Sequence, residues 1–521
     1  MKPRNSSIER ALPFLAAAVA GVWSIQGIWD ADFWWHLASG RWMWEHRAVL
    51  RADPFTWTVA GHDWLDHEWL FQVFLYGAYK LGEIRGVLLL KAALLGIAAL
   101  GVSRSLGRGL PAGLNAALVL SLCWCARFRD MARAELISLC LFPFFVWGVL
   151  EISEDGPPVR TRWFWLLPGL MAIWANSHPG FWHGFAVIFI AVLASLPKSG
   201  RYRAFLALGL ACALAALINP YGVGIYGMTL KWTRTMLSGV APNISEFASV
   251  PLDRYFPFWA CLLGAWGACA WKSWRAKTID LLAWGLLLYA TWAGQRFVRN
   301  IPFALMILAP VAARSMGKNN FTKSAGRWLQ PAACLLCAAL LILGCRRARW
   351  EVDRSKYPVG AADFILNARP LGPGYNDFNL GSYLTWAFYG KDLRIFLDGR
   401  LNVEGYYGVW EEAQRARTVS PESLGAWKAL MGRWSVEWCL MEIPSYRLFY
   451  EGRPVSVFAY YFPAAQWALV YHDFRTALYV RRGAANQGLI SRYERARTYP
   501  DIASGEPARA EWKNLFEPAT P

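Results

Sequence analysis

The chain has 521 residues, of which 56% are hydrophobic and 17% charged, with 31 tryptophans and a formal net charge of +18. This composition is typical of a protein that crosses a membrane several times and excludes an ordinary soluble domain. The positive charge does not indicate nucleic-acid binding, because the basic residues recur in short loops between apolar runs and no aromatic and basic nucleic-acid module is present.

Apolar runs of about helix-spanning length follow one another along the first 345 residues, and each predicts a transmembrane helix. The predicted spans are residues 11–29, 86–103, 112–126, 134–150, 163–176, 181–197, 204–218, 257–271, 279–293, 299–313 and 328–345. Residues 70–85 are amphipathic and too short to span, so they predict an interfacial helix. About eleven transmembrane helices are therefore expected in a domain of residues 1–345, with a large first outer loop at 30–85.

The distribution of lysine and arginine predicts the orientation of these spans. Basic residues precede the first span and then fill every second loop, so those loops and the N-terminus are expected in the cytoplasm. After an odd number of spans, the chain from residue 346 onwards is expected on the outer face of the membrane.

The tail changes to mixed polar and aromatic sequence, and residues 346–490 predict a small outer-face α/β domain. The predicted elements are helices at Asp363–Asn367 and Trp427–Gly432, strands at Leu393–Leu397 and Trp438–Glu442, and a hairpin of Trp467–Tyr471 with Ala477–Arg481. Residues 491–521 are expected to be loosely ordered. The predicted fold class is a polytopic α-helical membrane protein, N-terminus inside, with a C-terminal outer-face α/β domain.

Two carboxylates, Asp30 and Asp32, stand among aromatic residues where the chain leaves the first span. Ionised carboxylates near a bilayer are costly unless a cation or a polar substrate offsets them, so the pair indicates a functional site. The pair could hold a divalent cation such as Mg²⁺ or Mn²⁺, or one acid could act as general base on an acceptor hydroxyl, and we favour Asp32. The structural alternative is a solvated carboxylate that caps a helix.

Further acids and histidines lie in the rest of the first outer loop and in a later outer loop. These candidates for substrate contacts or metal ligands are His36, Asp66, His67, Glu68 and Glu246. The alternative for residues 61–69 is an ordinary polar turn, and Asp53-Pro54-Phe55-Thr56 predicts a structural turn.

Arginines also accumulate on the outer side, where the positive-inside rule disfavours them. The forked guanidinium suits phosphate, and the nearest source of phosphate is a lipid. The predicted donor-phosphate ligands are Arg127, Arg129, Arg133, His178, Arg296 and Arg299. The alternatives are arginines that snorkel to lipid headgroups and a histidine that packs in an aromatic belt.

An ordered series of motifs resembles bacterial multi-spanning members of the glycosyltransferase C superfamily. The motifs are the acidic pair with Phe33-Trp34-Trp35-His36, Asp53-Pro54-Phe55-Thr56, His67-Glu68-Trp69-Leu70, Asn176-Ser177-His178, Asn219-Pro220-Tyr221-Gly222, Ser245-Glu246-Phe247 and Arg296-Phe297-Val298-Arg299. In the tail, Asn379–Leu384 and Phe396–Arg400 resemble the outer domain of such proteins.

The resemblance implies an enzyme of the bacterial inner membrane, with its C-terminal domain extracytoplasmic. It would transfer a sugar from a polyprenyl-phosphate donor to a glycan, lipid or protein acceptor at the outer face. Asp32 would be base or metal ligand, Asp30 its partner, and Arg296 or Arg299 would stabilise the leaving phosphate. The alternatives are a ligase that uses a lipid-linked glycan, a lipid or anion transporter, which the absence of an internal repeat disfavours, and a scaffold without catalysis.

Overall fold

The structure, a computed structural model, describes residues 7–107, 110–154, 161–197, 200–237, 247–316, 320–400, 402–417, 421–443, 448–450, 453–455 and 461–494. The chain divides into two compact units. The helical unit comprises Met1–Ile28 and His67–Val352, and the α/β unit comprises Trp29–Asp66 and Asp353–Pro521. The sequence groups the first outer loop, 30–85, with the transmembrane helices, whereas the structure groups residues 29–66 with the tail.

The helices are numbered in chain order. They are α1 (Ser7–Trp23), α2 (Phe33–His46), α3 (Trp69–Ser105), α4 (Ala112–Ala126), α5 (Glu135–Glu154), α6 (Arg162–Ala175), α7 (Phe181–Ser195), α8 (Arg201–Ala216), α9 (Gly224–Leu237), α10 (Phe256–Ala276), α11 (Leu281–Arg296), α12 (Ile301–Met316), α13 (Asn320–Arg347), α14 (Val359–Ala368), α15 (Phe378–Phe388), α16 (Tyr406–Arg417), α17 (Pro421–Arg433) and α18 (Gln487–Tyr493). Helices α1 and α3–α13 belong to the helical unit.

Every predicted span overlaps a helix, and among the described residues of the helical unit α9 is an additional helix that the apolar pattern does not predict. Within the described residues, three helices are long and apolar enough to cross a membrane: Trp69–Ser105, Glu135–Glu154 and Gln330–Arg347. Shorter apolar helices are Phe181–Ser195 and Val359–Ala368. The chain is thus mostly helical with several apolar helices, while the count of eleven spans and their orientation stay predictions.

Helix α3 contains a sharp kink that separates the predicted interfacial segment from the predicted second span. Gly82 and Glu83 have non-helical backbone angles, with Glu83 at φ 49° and ψ −137°. The two arms approach so closely after the kink that a Cβ on Gly86 would lie 2.1 Å from the carbonyl oxygen of Ala78. Glycine is therefore required at position 86 for the chain to pass its own preceding turn.

The α/β unit is built on a four-stranded sheet in the order β1-β2-β6-β5, in which β1 runs parallel to β2 and the other neighbours are antiparallel. Its strands are β1 (Gly374–Asn376), β2 (Trp438–Glu442), β5 (Trp467–His472) and β6 (Thr476–Arg481), and a separate hairpin joins β3 (Leu448–Tyr450) to β4 (Arg453–Val455). Buried side chains of α14, α15 and the sheet form one apolar core. Both predicted tail helices, strand β2 and the β5–β6 hairpin are confirmed.

The predicted strand at Leu393–Leu397 is wrong. In this segment Ile395 makes an isolated bridge with Thr56, through hydrogen bonds of 3.2 Å to the carbonyl oxygen of Phe55 and 3.1 Å from the N–H of Trp57. The next N–H, of Phe396, donates to the side-chain oxygen of Asn376 at 2.8 Å. Because a side chain occupies this backbone donor, the segment does not continue a ladder.

Residues 29–66 are tied to the tail by direct contacts within the α/β unit. Helix α2 packs against α15, and the N–H of Trp35 donates to the hydroxyl of Ser382 at 3.1 Å. The indole of Trp57 donates to the carbonyl oxygen of Gly374 at 3.0 Å. The loop that carries the acidic pair is thus an integral part of this unit.

Candidate functional site

The acidic pair lies at the start of α2, in the α/β unit. Asp32 occupies the position before the first helical residue, but its carboxylate does not cap the helix. It accepts a hydrogen bond from the indole Nε1 of Trp35 at 3.3 Å, and its own backbone N–H donates to Oδ1 of Asp30 at 3.4 Å. Asp30 is 6% exposed, whereas Asp32 is half-buried. Of the two acids, Asp32 is the more exposed to solvent.

Gly399 lies directly against the Asp32 carboxylate. A Cβ at this position would be 2.6 Å from Oδ1 of Asp32 and 3.4 Å from Nε1 of Trp35. A separation below 3.0 Å requires something to shift, so a larger residue would displace the acid. The motif Asp398-Gly399-Arg400 of the tail therefore positions the acid of the first loop.

Arg400 anchors this motif through a buried ion-pair network. Its Nε lies 2.9 Å from both carboxylate oxygens of Asp398, and its Nη1 lies 2.5 Å from Oδ1 of Asp53. All three side chains are completely buried, and the guanidinium lies over the rings of Phe55 and Trp64 at 4.8 and 5.0 Å. Burial lowers the pKa of Arg400, but Asp398 and Asp53 together raise it overall, so the residue is a permanent cation.

The turn predicted at Asp53-Pro54-Phe55-Thr56 is confirmed by the hydrogen bonds of Asp53. Its carboxylate accepts from the backbone N–H groups of Phe55 and Thr56 at 3.2 and 3.1 Å. The sequence did not predict its pairing with Arg400, because the two residues are 347 positions apart.

Two other predicted residues of the first loop are buried in the α/β unit. His36 is 2% exposed, with its ring centroid 3.7 Å from that of Trp35, and Asp66 is fully buried. The next two residues, His67 and Glu68, belong to the helical unit, where Nε2 of His67 lies 3.7 Å from Oε1 of Glu68.

His178 lies in the turn between α6 and α7 and has a defined hydrogen-bond pattern. Its Nδ1 accepts from the N–H of Gly180 at 3.0 Å and lies 2.7 Å from the hydroxyl of Ser138. Because Nδ1 accepts the backbone N–H, the neutral ring carries its proton on Nε2. The pKa of His178 lies well below its usual range, mainly because the ring is buried. The nearby charges of Arg299, two histidines and Arg129 lower this pKa further. His178 is therefore a neutral donor at physiological pH.

The segment that carries His67 and Glu68 is attached to this same turn. The N–H of Leu70 donates to the carbonyl oxygen of Asn176 at 3.1 Å, and the indole of Trp69 donates to its side-chain oxygen at 2.8 Å. The helical unit thus brings His67, Arg129 and Arg299 within electrostatic range of His178.

The predicted arginines differ in their surroundings. Arg129 is buried and forms an ion pair with Glu135, which offsets its charge. The Nη2 of Arg133 donates to the Sδ of Met131 at 2.8 Å. The other three predicted arginines each lie over an aromatic ring. Arg127 lies over Trp124 and Arg296 over Phe297, and both arginines are exposed. Arg299 lies over Phe247 and is half-buried. Arg299 therefore combines partial burial with proximity to His178. Glu246 lies outside the described residues.

A cavity of about 370 Å³ in the helical unit has mostly apolar walls from α1, α3, α4, α5, α12 and α13. Its charged lining residues are Arg127, Asp130 and Arg347. Burial raises the pKa of Asp130 to about 6, against the opposing effects of Lys91 and Arg127. The Nζ of Lys91 lies 3.8 Å from Oδ1 of Asp130. The sequence did not predict this cavity, since its walls come from six separated helices.

A metal ligand set is not preformed in the part of the chain that the structure describes. No three or more histidine, cysteine, aspartate or glutamate side chains are grouped there so as to hold an ion. Binding of a divalent cation by Asp30 and Asp32 stays a prediction.

The chain is similar to several solved structures. No family model and no curated protein matches the chain. The crystal structure of ArnT from Cupriavidus metallidurans in the apo state matches with 14% sequence identity and a TM-score of 0.49, over 91% of this chain and 98% of that chain.

Proposed function

We propose that the protein is an integral membrane glycosyltransferase that transfers a sugar from a polyprenyl-phosphate donor to an acceptor at the outer face of the membrane. The observation that carries the proposal is Asp32, a half-buried carboxylate that is held by Trp35 and Gly399 instead of capping its helix. An acid fixed by surrounding side chains and still open on one side suits a general base.

In the proposed reaction, the carboxylate of Asp32 takes the proton of an acceptor hydroxyl. The acceptor oxygen forms a bond to the anomeric carbon of the sugar as the bond from that carbon to the phosphate oxygen breaks. The electron pair leaves with the polyprenyl phosphate. Asp30, whose Oδ1 accepts the N–H of Asp32, supports the position of the base.

The helical unit supplies features that suit the donor lipid. Arg299 and a neutral His178 offer a guanidinium and an N–H, which suit the phosphate of a lipid headgroup. The apolar cavity of about 370 Å³ suits part of an isoprenoid chain.

The test is sugar transfer by purified full-length protein in lipid, measured as release of polyprenyl phosphate in the presence of acceptor membranes. Asp32→Asn should lower turnover about 10²-fold or more, since it keeps the shape of the side chain and removes the base. Asp63→Asn, at an exposed acid of the same unit, is the matched control and should behave as wild type. Wild-type turnover by Asp32→Asn with an unchanged fold would refute the proposal.

A second variant tests the position of the base without removing it. Gly399→Ala adds a methyl group that must displace the Asp32 carboxylate. Turnover should fall while binding of the lipid donor is retained, because the change acts on the base and not on the phosphate ligands.

A further inference from the structure

The α/β unit contains a second concave feature, at the opposite end of α2 from the acidic pair. This cleft has a volume of about 790 Å³ and is lined by the last two turns of α2, residues 54–57, residues 372–374, the segment 385–395 and Trp438 of β2. Its size is that of a small-molecule site, and neither the base nor the buried ion-pair network accounts for it.

Aromatic side chains are held in fixed orientations along the cleft. Trp42 stacks on His46, with ring centroids 4.2 Å apart and planes at 11°, and Nδ1 of that histidine lies 2.8 Å from the carbonyl oxygen of Trp42. The half-buried Trp57 is fixed by its hydrogen bond to the carbonyl oxygen of Gly374. Fixed aromatic faces bind an apolar ligand face at little cost in conformational entropy.

Charged groups stand beside these rings. Glu45 accepts hydrogen bonds from Nε of Arg41 at 2.8 Å and from the hydroxyl of Tyr389 at 2.7 Å. The guanidinium of Arg41 also lies over the Tyr389 ring at 4.7 Å. The exposed Asp392 and Arg394 line the same cleft. The cleft therefore offers carboxylate acceptors and guanidinium donors next to flat apolar surfaces.

A sugar ring has the complementary chemistry, because one face presents C–H groups while its edge presents hydroxyls that both donate and accept. We propose that this cleft binds an oligosaccharide. On the proposed glycosyltransferase function, that oligosaccharide is part of the acceptor. From Asp32 to residues 42–46, helix α2 rises by about 15–20 Å, at about 1.5 Å per residue. That span is longer than a single sugar, so the acceptor class is a short glycan chain.

Binding is measured by incubating full-length protein in nanodiscs with an array of bacterial surface oligosaccharides of one to six sugars and of unglycosylated peptides. Wild type should bind a subset of the longer glycans. Trp42→Ala should weaken that binding about tenfold or more, through loss of the stacking face. Glu45→Gln, which keeps the size of the side chain, should weaken it as well.

Two control variants separate this proposal from the glycosyltransferase function. Trp44→Ala lies on the same helix, is exposed and does not line the cleft, so its binding should equal that of wild type. Asp32→Asn should keep glycan binding even though it loses transfer. The proposal is overturned if no glycan on the array binds, if peptides bind in their place, or if Trp42→Ala and Glu45→Gln both bind as wild type does.

Discussion

Arg400→Met would remove a cation that is completely buried between two carboxylates. Its Nε contacts both oxygens of Asp398 at 2.9 Å, and its Nη1 contacts Asp53 at 2.5 Å. Removal of one partner from a buried ion pair costs about 3–5 kcal/mol, because the remaining charge stays buried. Here the carboxylates keep other donors, the backbone N–H groups after Asp53 and the hydroxyl of Tyr406 at 3.0 Å from Asp398. We therefore expect Arg400→Met to lower the stability of the α/β unit by about 3 kcal/mol, the lower end of that range.

Hydrogen–deuterium exchange measures this loss locally, in peptides that cover residues 53–64 and 394–400. A loss of about 3 kcal/mol in opening free energy raises exchange about 10²-fold in both peptides. The matched control is Arg41→Met, whose pair with Glu45 is 35% and 41% exposed and should contribute less than about 1 kcal/mol. A rise of less than about fivefold for Arg400→Met would refute the reasoning.

Three other outcomes follow from the geometry. Arg299→Gln should weaken binding of polyprenyl phosphate to the purified protein about tenfold or more. The control Arg296→Gln, at an exposed position, should change this affinity less than about twofold. Equal effects of the two variants would contradict the assignment of Arg299 as the phosphate ligand. Below pH of about 6.5 the unfolded chain binds a proton at His178 that the folded chain does not, so thermal stability should fall as pH drops, and His178→Asn should flatten that slope. Gly381→Ala places a Cβ 1.9 Å from the carbonyl oxygen of Leu397 and should destabilise the α/β unit by about 1–3 kcal/mol in the same exchange experiment; unchanged exchange would show that the backbone can yield there.

Local patterns were sufficient to predict most of the elements. Apolar runs locate the helices of the helical unit, and alternation locates the β5–β6 hairpin, because both signals depend on neighbouring residues. The short apolar run at Leu393–Leu397 has the composition of a strand. However, its backbone pairs with the side chain of Asn376 and with the distant loop at Thr56, and no local pattern encodes these partners.

The candidate site was predictable in part. An acidic pair beside a membrane span is unusual enough to be noticed in the sequence alone, and the structure distinguishes a buried Asp30 from a more open Asp32. The support of that acid by Gly399 and Arg400 was not predictable, because it depends on contacts between chain segments more than three hundred residues apart. The cleft at the end of α2 likewise consists of five separated segments.

The composition of the α/β unit from two distant stretches has a consequence for biosynthesis. Residues 29–66 emerge from the ribosome early, but the residues that complete their unit follow only after the whole of 67–352 has been made. At about 5–20 residues per second, this first stretch waits roughly 15–60 s for its partners. Any truncation that removes the tail would leave residues 29–66 without the rest of their unit, so we expect this stretch to reach its folded structure only after the tail has been made.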